Sequence, residues 1–335
     1  MRRGIAIALV ALLVGCRHAE PQELLEPDRP FTVDLPAGFP PLPEPSDNRL
    51  TEARVSLGKA LFFDGRLSRN GRIACGSCHF AERAFSDTVA LSLGVDGLPG
   101  MRNAPPLVNL AWHTAYFRDG GVPTLEQQAI APIHDPLEMD FSITRAAADL
   151  RYKEPYATLS QRAYGKPLDA WVLTRALAAY QRTLVSGWSR YDRYLLGDAD
   201  ALSESERRGL ELVRSEDLNC TACHGGFDLS DHDYHNLGLY ASYADPGRER
   251  ITLNPADNGK FKTPTLRNIA LTAPYMHDGS MASLEDVIDF LASGGSPHPN
   301  RDPEMRTFEL SSEEKSDLIA FLCALTDELP IDRSP

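Results

Sequence analysis

The chain carries two copies of a five-residue motif, CGSCH at residues 75–79 and CTACH at residues 220–224. Cys-x-x-Cys-His is the attachment signature of a c-type haem: two thiols bond the porphyrin, and the adjacent His supplies an axial nitrogen to the iron. A zinc site or a redox-active cysteine pair is the alternative for one motif alone, but two motifs in one exported chain favour two covalent haems. The predicted haem-binding residues are Cys75, Cys78 and His79 for the first haem, and Cys220, Cys223 and His224 for the second.

The first 16 residues have the pattern of a lipoprotein export signal. A basic start and the apolar run 5–14 lead to Cys16, and the run is far shorter than the roughly 20 residues that span a membrane. Residues 1–15 are therefore predicted to be removed, and Cys16 to be lipidated as the mature N-terminus. The remaining cysteine, Cys323, is predicted to be a buried thiol on a helix.

The formal net charge of −13 makes nucleic acid an unsuitable partner, because phosphate binding needs a basic patch. An acidic face could steer a basic electron donor, and a plain soluble surface is an equally good interpretation.

The organisation predicted from composition and periodicity is all-α, with two helical domains behind a tether. Residues 16–47 are rich in proline and favour extended segments, although apolar side chains such as Phe31 and Phe39 allow some packing on the body. Ser-x-x-Glu capping boxes predict helices that begin after Ser203 and Ser311. A similar helix pattern precedes each pentad, which suggests cytochrome c-like domains over residues 48–198 and 199–327.

These motifs resemble the bacterial di-haem cytochrome c peroxidase family, including MauG-type enzymes, over residues 48–327. Besides the pentads, the resemblance rests on LGKALFFD (57–64), RNAP (102–105), FRDG (117–120), PLEM (136–139), FKTPTLRN (261–268) and PYMHDG (274–279). It implies two cytochrome c domains in contact, each with one covalent haem, exported to the periplasm or cell envelope. A homodimer is one option for the assembly.

The resemblance implies that peroxide is reduced at the first haem, with His79 as the proximal ligand. Where resting members of the family place a ligating His, the loop 91–97 has none, so the first haem is expected to be five-coordinate. Glu138 matches the distal glutamate that moves protons during O–O cleavage. Gln128 and Pro132 match residues that line the same pocket, whereas His134 is interpreted as a structural or surface histidine.

Two positions depart from the family pattern. Leu291 stands where a Met or Tyr ligates the second, electron-transferring haem, and Arg118 stands where a Trp lies between the haems. Trp112 could replace that relay, although a core aromatic is the simpler interpretation. The candidates for another ligand of the second haem are Met276, Met281, Met305, His277 and His298.

The resemblance also implies one Ca²⁺ held by Asn103, Thr272 and Pro274, through a side-chain oxygen, backbone carbonyls and waters. The predicted activity is that of a cytochrome-c peroxidase: reduction of hydrogen peroxide to water with electrons from a small cytochrome c or cupredoxin. The alternatives are a MauG-like oxidase that removes electrons from a partner protein, and a lipid-tethered di-haem electron carrier or haem sensor without catalysis.

Overall fold

The computed structural model describes residues 28–334, so the predicted signal peptide, Cys16 and the first part of the tether lie outside the described residues. The described part is rich in helices. In chain order they are α1 (Glu52–Phe62), α2 (Leu125–Gln128), α3 (Ile130–His134), α4 (Ile143–Leu150), α5 (Tyr156–Tyr164), α6 (Ala170–Arg182), α7 (Arg190–Leu195), α8 (Glu204–Arg214), α9 (Glu249–Thr252), α10 (Leu284–Ala292) and α11 (Ser312–Cys323). None of the helices within residues 28–334 is long and apolar enough to cross a membrane.

The first of two hydrophobic clusters forms around the contact between α1 and α6. Gly58 makes this contact close: a Cβ at this position would lie 1.9 Å from the carbonyl oxygen of Ala176 and 2.7 Å from the Cβ of Tyr180. Any larger residue would push the helices apart, because real Cβ atoms do not approach a carbonyl oxygen to that distance. The glycine in the first helix pattern therefore sets the helix–helix distance beside the first pentad.

The second hydrophobic cluster repeats this arrangement with α8 and α11. A Cβ on Gly209 would lie 2.0 Å from the carbonyl oxygen of Asp317 and 2.7 Å from the Cβ of Phe321. Both helices begin with the predicted capping boxes, in which Ser203 and Ser311 accept hydrogen bonds from the amides three residues later. The two halves thus share one packing device, as the similarity of the segments before the pentads suggested.

The prediction of an all-α fold needs one small correction. Tyr234–His235 (β1) pairs antiparallel with Phe261–Lys262 (β2), and Tyr234 is opposite Lys262. Two residues per strand are too few for the alternating pattern that reveals a strand in sequence. The amide of Lys262 also donates to the carbonyl of Arg118 at 2.7 Å, so this short ladder is tied to the FRDG segment of the first half.

Residues 28–47 pack on the body through the apolar side chains that the sequence suggested for this role. Phe31 and Val33 lie against the first hydrophobic cluster. Phe39 packs edge-on against Trp112 and Phe227, with ring centroids 5.7 and 4.8 Å apart. Burial of these apolar side chains outweighs the preference of the prolines for a solvated chain.

The segment after α11 returns to the first half of the chain. Ile331 joins the first hydrophobic cluster. The carboxylate of Asp332 accepts a hydrogen bond from the Tyr180 hydroxyl at 2.9 Å and lies 3.4 Å from Nζ of Lys59. Residues 331–334 therefore belong structurally to the core beside α1 and α6.

The prediction that Cys323 is buried is wrong. It is the last residue of α11 and its side chain is exposed, whereas its neighbours Phe321 and Leu322 are buried. A run of apolar residues indicates a buried helix face but does not show which residue of the last turn points away from it.

Candidate active site

The first pentad forms a tight turn that presents its histidine to a common point with the cysteines. Residues Cys75–Ser77 make one turn of 3-10 helix, and Nδ1 of His79 lies 2.6 Å from the carbonyl oxygen of Phe85. That contact fixes the ring with Nδ1 protonated and leaves Nε2 as the free donor for iron. Burial lowers the pKa of His79, which favours the neutral, ligating form.

The second pentad has the same local geometry. Cys220–Ala222 form the turn, and Nδ1 of His224 lies 3.1 Å from the carbonyl oxygen of Leu229. Leu229 adopts a left-handed backbone with φ of 50°, as Phe85 does with φ of 59°. In each half a left-handed residue turns the chain back so that its carbonyl reaches the histidine.

The cysteines of the pentads fit haem attachment better than a redox pair. Burial raises the pKa of Cys75 to about 12 and that of Cys220 to about 11. Redox-active cysteines need a lowered thiol pKa, since the thiolate is the nucleophile. No thiolate is favoured here, and both histidines are oriented for an iron, so the residues present fit a covalent haem in each half.

Glu138 lies beside the first pentad. Burial is the main cause of the raised pKa of Cys75 and of Cys78, and the negative charge of Glu138 adds to it in both cases, which places the carboxyl group near the two sulfurs. Desolvation, followed by the nearby charge of Asp135, raises the pKa of Glu138 to about 7. The residue is nevertheless exposed, so water can reach the carboxyl group. A carboxyl group with a pKa near neutrality can both accept and donate a proton.

The loop 91–97 packs against the backbone of Leu137 and Glu138. The amide of Val95 donates to the Glu138 carbonyl at 2.8 Å. A Cβ on Gly94 would lie 2.0 Å from the carbonyl oxygen of Leu137 and 2.7 Å from that of Glu138. Only glycine permits this approach. Asp96, the one carboxylate of the loop, is paired with Arg69 at 2.7 Å.

The other residues predicted for this pocket lie on the two short helices before Glu138. Gln128 ends α2 and Pro132 lies on α3, and both are half-buried. The Pro132 carbonyl accepts a hydrogen bond from the amide of Met139 at 3.2 Å, which places it next to Glu138. His134 has a structural role, because its Nε2 accepts from the amide of Ile143 at 3.2 Å.

A cavity of about 290 Å³ lies beside the second pentad. Its walls include Cys220, Cys223 and His224, together with Leu291 and other apolar side chains of α10. Leu291 therefore lines the cavity beside the second pentad, and its place opposite a haem stays a prediction. Of the alternative ligands considered, those that also line the cavity are Met276, His277 and Met305.

Arg118 contacts the residue expected to bind calcium. Its guanidinium donates to the backbone carbonyl of Asn103 at 3.1 Å and to Oδ1 of Asn103 at 2.8 Å. The cavity beside the second pentad is also lined by Arg118, Asn103, Thr272 and Pro274. A cation is thus already present at the Asn103 oxygens, and this arrangement does not fit a Ca²⁺ ion there.

Arg102 of the RNAP motif and Asp119 of the FRDG motif join the two halves through ion pairs. Arg102 lies 2.7 Å from Asp119 and 2.6 Å from Asp245, and Arg250 lies 2.6 Å from Asp119. Asp119 is fully buried. Removing one member would leave an uncompensated charge at the buried Asp119, so we expect this network to stabilise the contact between the two halves.

Trp112, the alternative electron relay, is half-buried between Phe39 and Phe227. This surrounding is that of a core aromatic at the contact between the halves, and its role in electron transfer stays a prediction. Sequence analysis missed the neighbouring cluster of His113, Asp228 and His232, whose ligand atoms come together in the fold.

Comparison with known proteins agrees with this architecture. The sequence profile of the di-haem cytochrome c peroxidase family matches residues 52–200. A methylamine utilization protein MauG from Methylorubrum extorquens is 42% identical over 291 residues, which cover 86% of this chain and 82% of that protein. A cytochrome c551 peroxidase from Nitrosomonas europaea is 32% identical over 344 aligned positions, covering 100% of this chain and 95% of that protein.

Among solved structures, a MauG-like protein associated with microbial copper homeostasis is similar with a TM-score of 0.85. It is 38% identical and covers 90% of this chain and 97% of its own length. Two Cys-x-x-Cys-His turns in a helix-rich chain define a covalent haem oxidoreductase. The chain belongs to the di-haem cytochrome c peroxidase and MauG family.

Proposed function

We propose that the protein reduces hydrogen peroxide at the pocket of the first pentad, with electrons from a small cytochrome c or cupredoxin. The overall reaction consumes peroxide, two protons and two electrons and yields two molecules of water. Cys75, Cys78 and His79 would hold the haem that supplies the peroxide-binding iron, and Cys220, Cys223 and His224 would hold the haem that stores electrons. The observation that carries the proposal is Glu138, a carboxyl group with a pKa of about 7 beside the first pentad.

Glu138 performs the proton transfers in this proposal. Its carboxylate would take a proton from one oxygen of the peroxide and return it to the other, so that this second oxygen can leave as water. The hydrogen bond from the Val95 amide to the Glu138 carbonyl fixes the backbone at Glu138. The carboxylate would therefore need no large movement during the reaction. Gln128 and Pro132 would form the wall of the same pocket.

A second candidate function is oxidation of a partner protein, with peroxide as the oxidant. It is favoured by the 42% identity to a methylamine utilization protein MauG, compared with 32% to a cytochrome c551 peroxidase. Arg118 counts against a fast electron relay by side chains in either case, because a guanidinium cannot be oxidised. In both functions the peroxide chemistry is that of Glu138, and they differ in what donates the electrons.

The test is steady-state peroxide consumption by the holo-protein with a reduced small cytochrome or cupredoxin. Glu138→Gln is expected to lower kcat/KM by roughly 10²- to 10⁴-fold, the usual contribution of a positioned acid–base group. The matched control is Glu82→Gln, which changes an exposed carboxylate on the turn after the first pentad. Full activity of the Glu138 variant would remove it from the mechanism, and no turnover by the wild type with any donor would favour the electron carrier.

We also propose that Cys16 anchors the protein by lipid in the cell envelope, with domains that divide near residue 198. Expression with a labelled fatty acid tests the anchor. Label and membrane association should be present in the wild type and absent in Cys16→Ala, and an unlabelled wild type would contradict the proposal.

A further inference from the structure

Three potential metal ligands meet where the two halves of the chain touch. His113 comes from the first half, and Asp228 and His232 follow the second pentad. Oδ2 of Asp228 lies 3.5 Å from Nε2 of His113 and 3.3 Å from Nε2 of His232. The three donor atoms thus surround one point.

Two of these donor atoms have no hydrogen-bond partner, although they are buried. They are Oδ2 of Asp228 and Nε2 of His113. Asp228 is 1% exposed, and its other oxygen accepts from Nδ2 of Asn109 at 2.7 Å. Buried polar atoms are nearly always satisfied in native proteins, so an unpaired carboxylate oxygen facing two imidazoles indicates a missing ligand.

The separations fit a tetrahedral metal ion better than hydrogen bonds. Zinc binds His nitrogen and carboxylate oxygen at roughly 2.0–2.1 Å, which places neighbouring donor atoms of a tetrahedron about 3.4 Å apart. The observed 3.3 and 3.5 Å lie on either side of that value. Hydrogen bonds between imidazole and carboxylate would be shorter, at about 2.7–2.9 Å when charged.

The outer nitrogen of His113 contacts a lysine of the second half. Nδ1 of His113 lies 3.1 Å from Nζ of Lys262, which donates to the carbonyl of Ala115 at 2.8 Å.

We propose that His113, Asp228 and His232 bind one divalent cation of the zinc class, which joins the two halves beside the second haem site. The site supplies two nitrogen donors and one oxygen donor. The side chain of His232 is 18% exposed, which leaves the fourth position open toward solvent for a water molecule. The cation neutralises the buried carboxylate and ties residues of the first half to residues of the second. This proposal is independent of the peroxide chemistry at Glu138.

Zinc content and zinc X-ray absorption of the full-length holo-protein test the proposal. The protein is treated with dipicolinate, dialysed, supplied with Zn²⁺ and passed over a desalting column. We expect one zinc per two haem irons, with an absorption spectrum at the zinc edge that shows three or four N/O ligands at 2.0–2.1 Å, two of them imidazoles. Retention of no zinc, or a zinc shell with sulfur ligands, would overturn the proposal.

Two variants identify the ligands. Asp228→Asn keeps an oxygen for Asn109 and has nearly the same volume, and His113→Gln is the second variant. Each is expected to weaken zinc binding by about 100-fold or more, because a ligand is removed. His134→Gln, at an exposed histidine outside the cluster, is the matched control and should bind zinc as the wild type does.

Thermal unfolding gives a further readout that needs no enzymatic activity. Added Zn²⁺ should raise the Tm of the wild type and of His134→Gln but not that of Asp228→Asn. If Asp228→Asn retained zinc with wild-type affinity, the assignment of the site would be wrong even though the protein bound zinc elsewhere.

Discussion

The guanidinium of Arg118 donates hydrogen bonds to both oxygens of Asn103, the backbone carbonyl at 3.1 Å and Oδ1 at 2.8 Å. Burial lowers the pKa of Arg118 to about 10, and the group is still protonated at neutral pH. A positive charge is thus built into the chain at the oxygens where the family resemblance implied a calcium ion. The same residue replaces the aromatic side chain expected between the haems. Arg118 therefore accounts both for the poor fit to calcium and for the missing aromatic relay.

Calcium should therefore have no effect on this protein. Protein that has been treated with EGTA and resupplied with one equivalent of Zn²⁺ is expected to show the same haem spectrum, Tm and peroxide turnover with or without 1 mM Ca²⁺. In Arg118→Leu the Asn103 oxygens lose their cation, and a gain in Tm with Ca²⁺ is expected only there. A calcium-dependent spectrum in the wild type would contradict the geometry.

Peroxide turnover should depend on the protonation of Glu138. The carboxylate form is the base, and its pKa is raised to about 7, so kcat/KM should rise about tenfold per pH unit below 7 and level off above it. Glu138→Gln should lose this dependence along with most of its activity. Its Tm at pH 8 should not fall, because the substitution removes a carboxylate whose charged form is disfavoured by desolvation. A retained pH profile in the variant would place the titrating group elsewhere.

Gly94→Ala should impair the same site without touching a reacting group. The new methyl group would lie 2.0 Å from the Leu137 carbonyl oxygen, so the loop or the Glu138 backbone must move. We expect a loss of about 1–3 kcal/mol in the free energy of unfolding and a drop in kcat/KM of at least tenfold. Gly100→Ala is the control, since the nearest atom to its Cβ would be 3.7 Å away. Equal behaviour of the two variants would show that the loop does not position Glu138.

The spin state of the second haem should respond to Leu291. A leucine cannot ligate iron. The variant Leu291→Met would supply a thioether ligand from the wall of the cavity beside the second pentad. We expect one iron of the resting protein to change from high spin to low spin in its EPR spectrum. Leu284→Met, on the same cavity wall two turns earlier in α10, should leave the spectrum unchanged. A low-spin second haem in the wild type would show that another residue already ligates it.

Motifs made of neighbouring residues could be predicted well from the sequence. The pentads, the capping boxes at Ser203 and Ser311, and the orientation of Leu291 depend on local spacing, which fixes which side chains share a turn or a helix face. The helix contacts at Gly58 and Gly209 are also consistent with the similar patterns before the two pentads.

Features made by distant residues could not be predicted in this way. Asn109 and Asp228 are 119 positions apart, and no pattern in the sequence shows that His113 lies near them. The hydrogen bonds of Arg118 depend on how the FRDG and RNAP segments cross. The packing of Phe39 depends on aromatic side chains of both halves, so the sequence could suggest that this residue packs on the body but not which residues it contacts.

The return of residues 331–334 to the first core has a consequence for biogenesis. Asp332 bonds to Tyr180, 152 positions earlier, and Ile331 fills part of the cluster around α1 and α6. The core around the first pentad therefore cannot be completed until residues 331–334 have been synthesised. Folding of the first half depends in this way on the far end of the chain, although most of its own helices precede the second pentad.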